Sequence, residues 1–110
     1  MKPRRIQLSR RAGWRKLDGA VVVSRPSKWG NPYTLATFRF SNADGTPASF
    51  DEEAAREMAI RDFEASLMVG GILPFTEEDV RRELRGKSLA CWCPLSKKCH
   101  GDVLLEIAAR

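Results

Sequence analysis

With 110 residues, 43% of them apolar and 30% charged, the chain is long enough for one modest core and too short for two domains. No apolar run approaches the ~20 residues of a membrane span, Met1-Lys2-Pro3-Arg4-Arg5 lacks the apolar stretch of a secretory signal, and three cysteines make no disulfide framework; the expectation is a cytoplasmic protein with no membrane association. The net charge of +5 is unevenly placed: residues 1–28 hold nine Lys or Arg against Asp18 alone, and residues 29–110 carry a net −3. Such a basic segment attracts nucleic acid, nucleotides or phosphorylated metabolites, though it is also what a solvated basic surface looks like.

In chain order, Arg4–Leu8 alternates loosely and is expected as a first short strand. Ala20–Ser24 is a compact β-branched run whose continuous apolar character suits a strand covered on both faces. Residues 25–33, with Pro26, Gly30, Asn31 and Pro32, form an ordered loop. Thr37–Phe40 and a segment near Ala48 are expected as a small hairpin around Asp44-Gly45. Ser49 and Glu52 fit a capping box, followed by a helix to about Val69 with Ala55, Ala59, Phe63 and Leu67 as its core stripe. Thr76 and Asp79 repeat the capping pattern for a short helix that buries Val80 and Leu84 and stops near Gly86. Ser88–Cys93 is expected as a third strand, Pro94–Lys98 as a loop, and Gly101–Ala109 as a last helix with Val103, Leu104, Ile107 and Ala108 on one side. The order predicts a single small α/β domain over 1–110, its short, largely parallel sheet flanked by helices in a Rossmann-like arrangement. In open α/β sheets ligands bind at the carboxyl ends of strands. Both unusual loops follow such an end, so they meet if their strands are parallel neighbours.

All three cysteines fall between positions 91 and 99, and the single His follows the last. Cys91, Cys93, Cys99 and His100 are the donor types of a zinc site. Against this, a continuous strand holds Cys91 and Cys93 roughly 6–7 Å apart, too wide for sulfurs at ~2.3 Å from one metal unless the chain bends there. Alternatively, Cys99, His100 and Gly101 open a helix whose free N–H groups favour an anion and lower a thiol pKa. Cys99 would then be a nucleophile, His100 a proton carrier, and Asp102 an orienting group for the imidazole or simply a favourable charge at the helix start. A third possibility is that Cys91, Cys93 and Trp92 are ordinary core residues. In the other loop, Arg25 and Lys28 can contact phosphate, Trp29 and Tyr33 can stack on a base, Gly30 allows close backbone approach, and Asn31 can read a base edge or hold the loop. Otherwise this is a stiff turn with Trp29 plugging the core.

The pattern Arg25-Pro26-Ser27-Lys28-Trp29-Gly30-Asn31-Pro32, with Leu89-Ala90-Cys91-Trp92-Cys93 and Cys99-His100-Gly101-Asp102-Val103-Leu104, resembles a family of bacteria and phages, the domain of unknown function numbered 4326. The resemblance spans about residues 4–108 and implies that these residues are the family hallmark; it implies no reaction. The chain departs from the family pattern by a longer loop between Cys93 and Cys99 and by an added segment from Phe38 to Phe50. The expected function is a pocket for an anionic, nucleotide-like small molecule, in a binding protein or a small nucleotide-processing enzyme. Two rivals are a nucleic-acid-binding module that uses the basic N-terminal region, with or without structural zinc, and a phage or host protein-interaction factor.

Overall fold

Three parallel strands and three helices make the domain in the computed structural model, which describes residues 2–35, 43–46 and 51–110. The strands are β1 (Arg5–Gln7), β2 (Val21–Val22) and β3 (Leu89–Cys91), in the order β1-β3-β2. β3 pairs in parallel with both neighbours: Ile6 lies opposite Ala90, and Val21 opposite Leu89. The ladder is extended beyond the strands by Leu8 N–H to the Cys91 carbonyl (2.7 Å) and Val23 N–H to the Ala90 carbonyl (2.8 Å).

The strand buried on both faces is β3, with Leu89, Ala90 and Cys91 all inside. The expectation for Ala20–Ser24 is corrected here. Only Val21–Val22 pairs as a strand, at the sheet edge, and Val22 is exposed. Apolar continuity in a run this short does not distinguish an edge from a centre, because packing from elsewhere in the chain decides it.

Helix α1 (Glu52–Val69) buries Ala55, Ala59, Phe63 and Leu67, as their four-residue spacing requires. Its cap is Asp51, whose carboxylate accepts the Ala54 N–H (3.1 Å). Ser49 and the expected hairpin strands lie outside the described residues; of that segment the turn is seen, with Asp44 Oδ1 accepting the Thr46 N–H (2.9 Å). Helix α2 (Glu77–Leu84) opens with the expected capping box: Thr76 and Asp79 each accept the other's backbone N–H. Helix α3 (His100–Ala109) packs against β1, β3, α1 and α2. Its Leu104 and Ile107 join Phe63, Leu84, Leu89 and Val23 in the core. None of the helices among the described residues is long and apolar enough to cross a membrane.

Candidate functional site

β3 ends two residues earlier than the sequence suggests, and the site depends on it. Cys91 closes the strand, and Trp92 and Cys93 form a bend. The bend removes the wide spacing that a continued strand imposes. The sulfurs of Cys91, Cys93 and Cys99 all lie within 4.8 Å of one another, and the Cys91 and Cys99 sulfurs are 3.3 Å apart. These three residues are close enough to hold a metal ion.

Cys99 is the N-cap of α3. Its Sγ accepts the Gly101 N–H (3.4 Å), and the Asp102 carboxylate accepts the Cys99 N–H (3.1 Å). His100 begins the helix, one residue before the expected start. Its Nε2 donates to the Val23 carbonyl (2.8 Å) at the end of the neighbouring strand. A carbonyl only accepts, so in the neutral ring Nε2 carries the proton and Nδ1 presents its lone pair, 3.5 Å from the Cys99 sulfur. Phe63 packs edge-on to the imidazole, centroids 5.2 Å apart.

Arg5, on β1, holds the loop between the cysteines. Its Nη2 donates to the carbonyls of Pro94 (3.1 Å), Leu95 (3.0 Å) and Lys97 (2.6 Å), and its Nε faces Asp102 Oδ1 at 3.5 Å. The side chain is only 7% exposed. Burial opposes its charge, but hydrogen bonding to the Cys99 sulfur and the Asp102 carboxylate outweigh that and raise its pKa. Three thiols at one point cannot all ionise. Hydrogen bonds from Cys91 and Cys93 hold the Cys99 thiol low against burial. The same contacts, with Cys93 first, and burial push Cys91 far above the ordinary thiol range. Arg56 Nη1 stands 3.7 Å from the Cys93 sulfur.

Above the sulfurs lies a cavity of about 250 Å³ at the carboxyl ends of β2 and β3. Ser24, Arg25, Asn31 and Tyr33 line one side, Arg56, Ala59 and Ile60 of α1 a second, and Cys91, Trp92, Cys93, Lys98, Cys99 and His100 the third. The two loops converge because their strands are parallel neighbours.

A family model described as a domain of unknown function (DUF4326) matches residues 6–110. The chain belongs to this family. Neither a curated protein nor a solved structure matches it.

In this DUF4326 chain the hallmark residues divide between cavity and framework. Arg25 lines the cavity while its Nη1 donates to the Asn31 carbonyl. Asn31 also lines it, but its amide is engaged: Nδ2 donates to the Ala59 carbonyl (3.1 Å) and Oδ1 accepts the Tyr33 N–H (2.9 Å). The side chain ties the loop to α1. Trp29 is turned away into the core, 5% exposed, its ring 4.7 Å from Phe75. Stacking on a bound base is therefore closed to it. Lys28 lies outside the cavity lining, its Nζ 4.5 Å from the Trp29 ring centroid and on Glu83 (2.9 Å). Gly30 is needed for the loop itself, since a Cβ there would stand 2.8 Å from Arg25 Cγ.

Gly101 is buried, lies outside the cavity lining and donates its N–H to Cys99. Asp102 does not orient the imidazole. Val23 does, and the carboxylate serves the helix cap and Arg5 instead. Trp92 is no core residue: it is 46% exposed, lines the cavity and carries the Arg10 guanidinium 4.8 Å above its ring. The sequence reading missed Arg5 and Arg56. Arg5 is indistinguishable from the other basic residues of the N-terminal segment until β1 pairs with β3. Arg56 sits one residue off the core stripe of α1, the one hint that it flanks a packed face.

Proposed function

We propose that this domain binds an anionic small molecule of the nucleotide type, through its phosphate, in the cavity above the cysteines. The observation that carries this reading is the cavity's charge. Arg25, Arg56 and Lys98 come from three different segments, and no carboxylate is among the described lining residues. Arg56 and Lys98 do have partners at the rim, Glu52 at 3.3 Å and Glu57 at 3.2 Å. Both glutamates are well exposed, and exposed pairs of this kind contribute only about 0–1 kcal/mol, so a phosphate can displace them. Guanidinium groups suit it further by bonding two oxygens at once. Tyr33 and Trp92 supply the flat faces in the lining that Trp29 does not. The volume sits just below the ~300 Å³ lower end of small-ligand pockets, which favours a ligand of mononucleotide size or smaller. In the floor, the ion that fits a sulfur-rich set of this kind is zinc.

The test is titration of the purified chain with AMP, ADP and ribose 5-phosphate, followed by calorimetry. Arg25→Ala and Arg56→Ala should each weaken binding about tenfold or more, the cost of one lost charge-assisted hydrogen bond of ~1.5–3 kcal/mol. A folded protein that binds none of the three probes overturns the reading. One observation favours nucleic acid instead: Arg10 lies over the exposed Trp92 beside the cavity, in a basic segment. That alternative predicts oligonucleotide affinity falling steeply with salt, with a logarithmic slope of about −0.9 per phosphate contacted on a duplex.

A further inference from the structure

We infer that the floor of the cavity is a closed, four-coordinate metal centre in which His100 Nδ1 is the fourth ligand beside Cys91, Cys93 and Cys99. This deepens the zinc part of the reading above and rests on it; it is independent of anion binding.

The geometry of the Cys99–His100 pair carries the inference. Neighbouring residues seldom aim their side chains at one point, but here each is fixed separately. Cys99 is held by the α3 cap and His100 by the Val23 carbonyl. Bonds of ~2.3 Å to sulfur and ~2.0–2.1 Å to nitrogen, spanned by the observed 3.5 Å, enclose about 107° at the metal, close to the tetrahedral angle. A tetrahedral S–S edge is about 3.8 Å. The Cys91–Cys99 edge is 3.3 Å and no sulfur pair is more than 4.8 Å apart, so each known edge or bound lies within about 1 Å of that value. The imidazole reaches Cys99 but is not within 4.8 Å of all three sulfurs, so four-coordination requires the sulfurs to close around the ion toward the anchored ring.

The second observation is outside the ligand set. A ligating imidazole usually donates its other N–H to a carbonyl or carboxylate, and the Nε2–Val23 bond already does this. Three thiolates and a neutral imidazole around a divalent ion leave one net negative charge. Buried beside it, Arg5 carries the compensating positive charge, and its Nη1 has no hydrogen-bond partner among the described residues. On binding, the ion replaces the protons still held on the thiols, which leave to solvent. With all four positions filled by protein, the centre is structural: it ties the end of β3 to the start of α3 and leaves the cavity cations to hold the ligand.

The experiment uses the full, untagged chain purified without added metal. Metal content is measured first, then cadmium is exchanged in and the nitrogen resonances of labelled histidine recorded; the chain has one His, so no assignment is needed. The expected result is one zinc per chain and a splitting of the Nδ1 resonance by cadmium. Arg5→Gln should lower zinc affinity about 10–100-fold, as loss of an outer partner does. One metal per chain without that splitting overturns His100 as ligand and leaves the zinc reading standing. No metal, with all three thiols open to a thiol reagent, overturns both, and the nucleotide titration still judges the anion cavity alone.

Discussion

Trp29 and Asn31 show how little a residue's chemistry says about its use. Both belong to a hallmark loop and both carry groups that could meet a ligand. The indole is spent on the core against Phe75, and the amide on the Ala59 carbonyl and the Tyr33 N–H. The consequence is a separable prediction. Trp29→Ala should cost about 3–5 kcal/mol of stability in a denaturant titration, the usual range for removing a buried indole. The milder Trp29→Phe should fold and bind the nucleotide probe as the parent does; a large loss of affinity in that variant would mean the ring does reach the ligand. Arg5 is the reverse case. It looks like one more surface base, yet is buried and holds three carbonyls of one loop.

The elements were legible to the extent that local chemistry specifies them. The Thr76–Asp79 box and the four-residue stripe of α1 are short-range patterns, and both stand in the structure. Thr76→Ala should therefore destabilise by about 1 kcal/mol, read as a shift in the urea midpoint with an unchanged slope. Asp79 adds a pH dependence. Its carboxyl is held below its ordinary value by the Thr76 N–H first and then by Arg82. A lowered folded pKa means this contribution is full above the ordinary carboxylate range and fades as pH falls through the lowered value. Asp79→Asn should remove that part of the acid limb, with near-parent behaviour at neutral pH excluding the capping role. The ends of the strands were less legible. Nothing local marks Cys91 rather than Cys93 as the last residue of β3, because the bend is set by the loop that Arg5 and the α3 cap pull inward.

At the scale of the whole molecule, three segments far apart in sequence close one site: the loop after β2, helix α1, and the stretch from the end of β3 to the start of α3. If zinc joins β3 to α3, chelation should lower the melting temperature, and adding zinc back should restore it by mass action. An unchanged melting temperature after complete zinc removal would show that packing alone holds these segments. The sequence by itself determined the three helices, the Thr76 cap of α2, the α/β class and the two loops that matter, since these rest on side-chain periodicity and turn chemistry within a few residues; the α1 cap is Asp51 rather than the expected Ser49. It also located all the cysteines and the histidine in one stretch. Only the tertiary structure decided that Trp29 faces the core, that Val23 rather than Asp102 holds His100, and that Arg5 is buried beside Cys99. Each of these is a contact between residues at least forty positions apart, and such contacts depend on strand pairing and helix packing that no local pattern encodes.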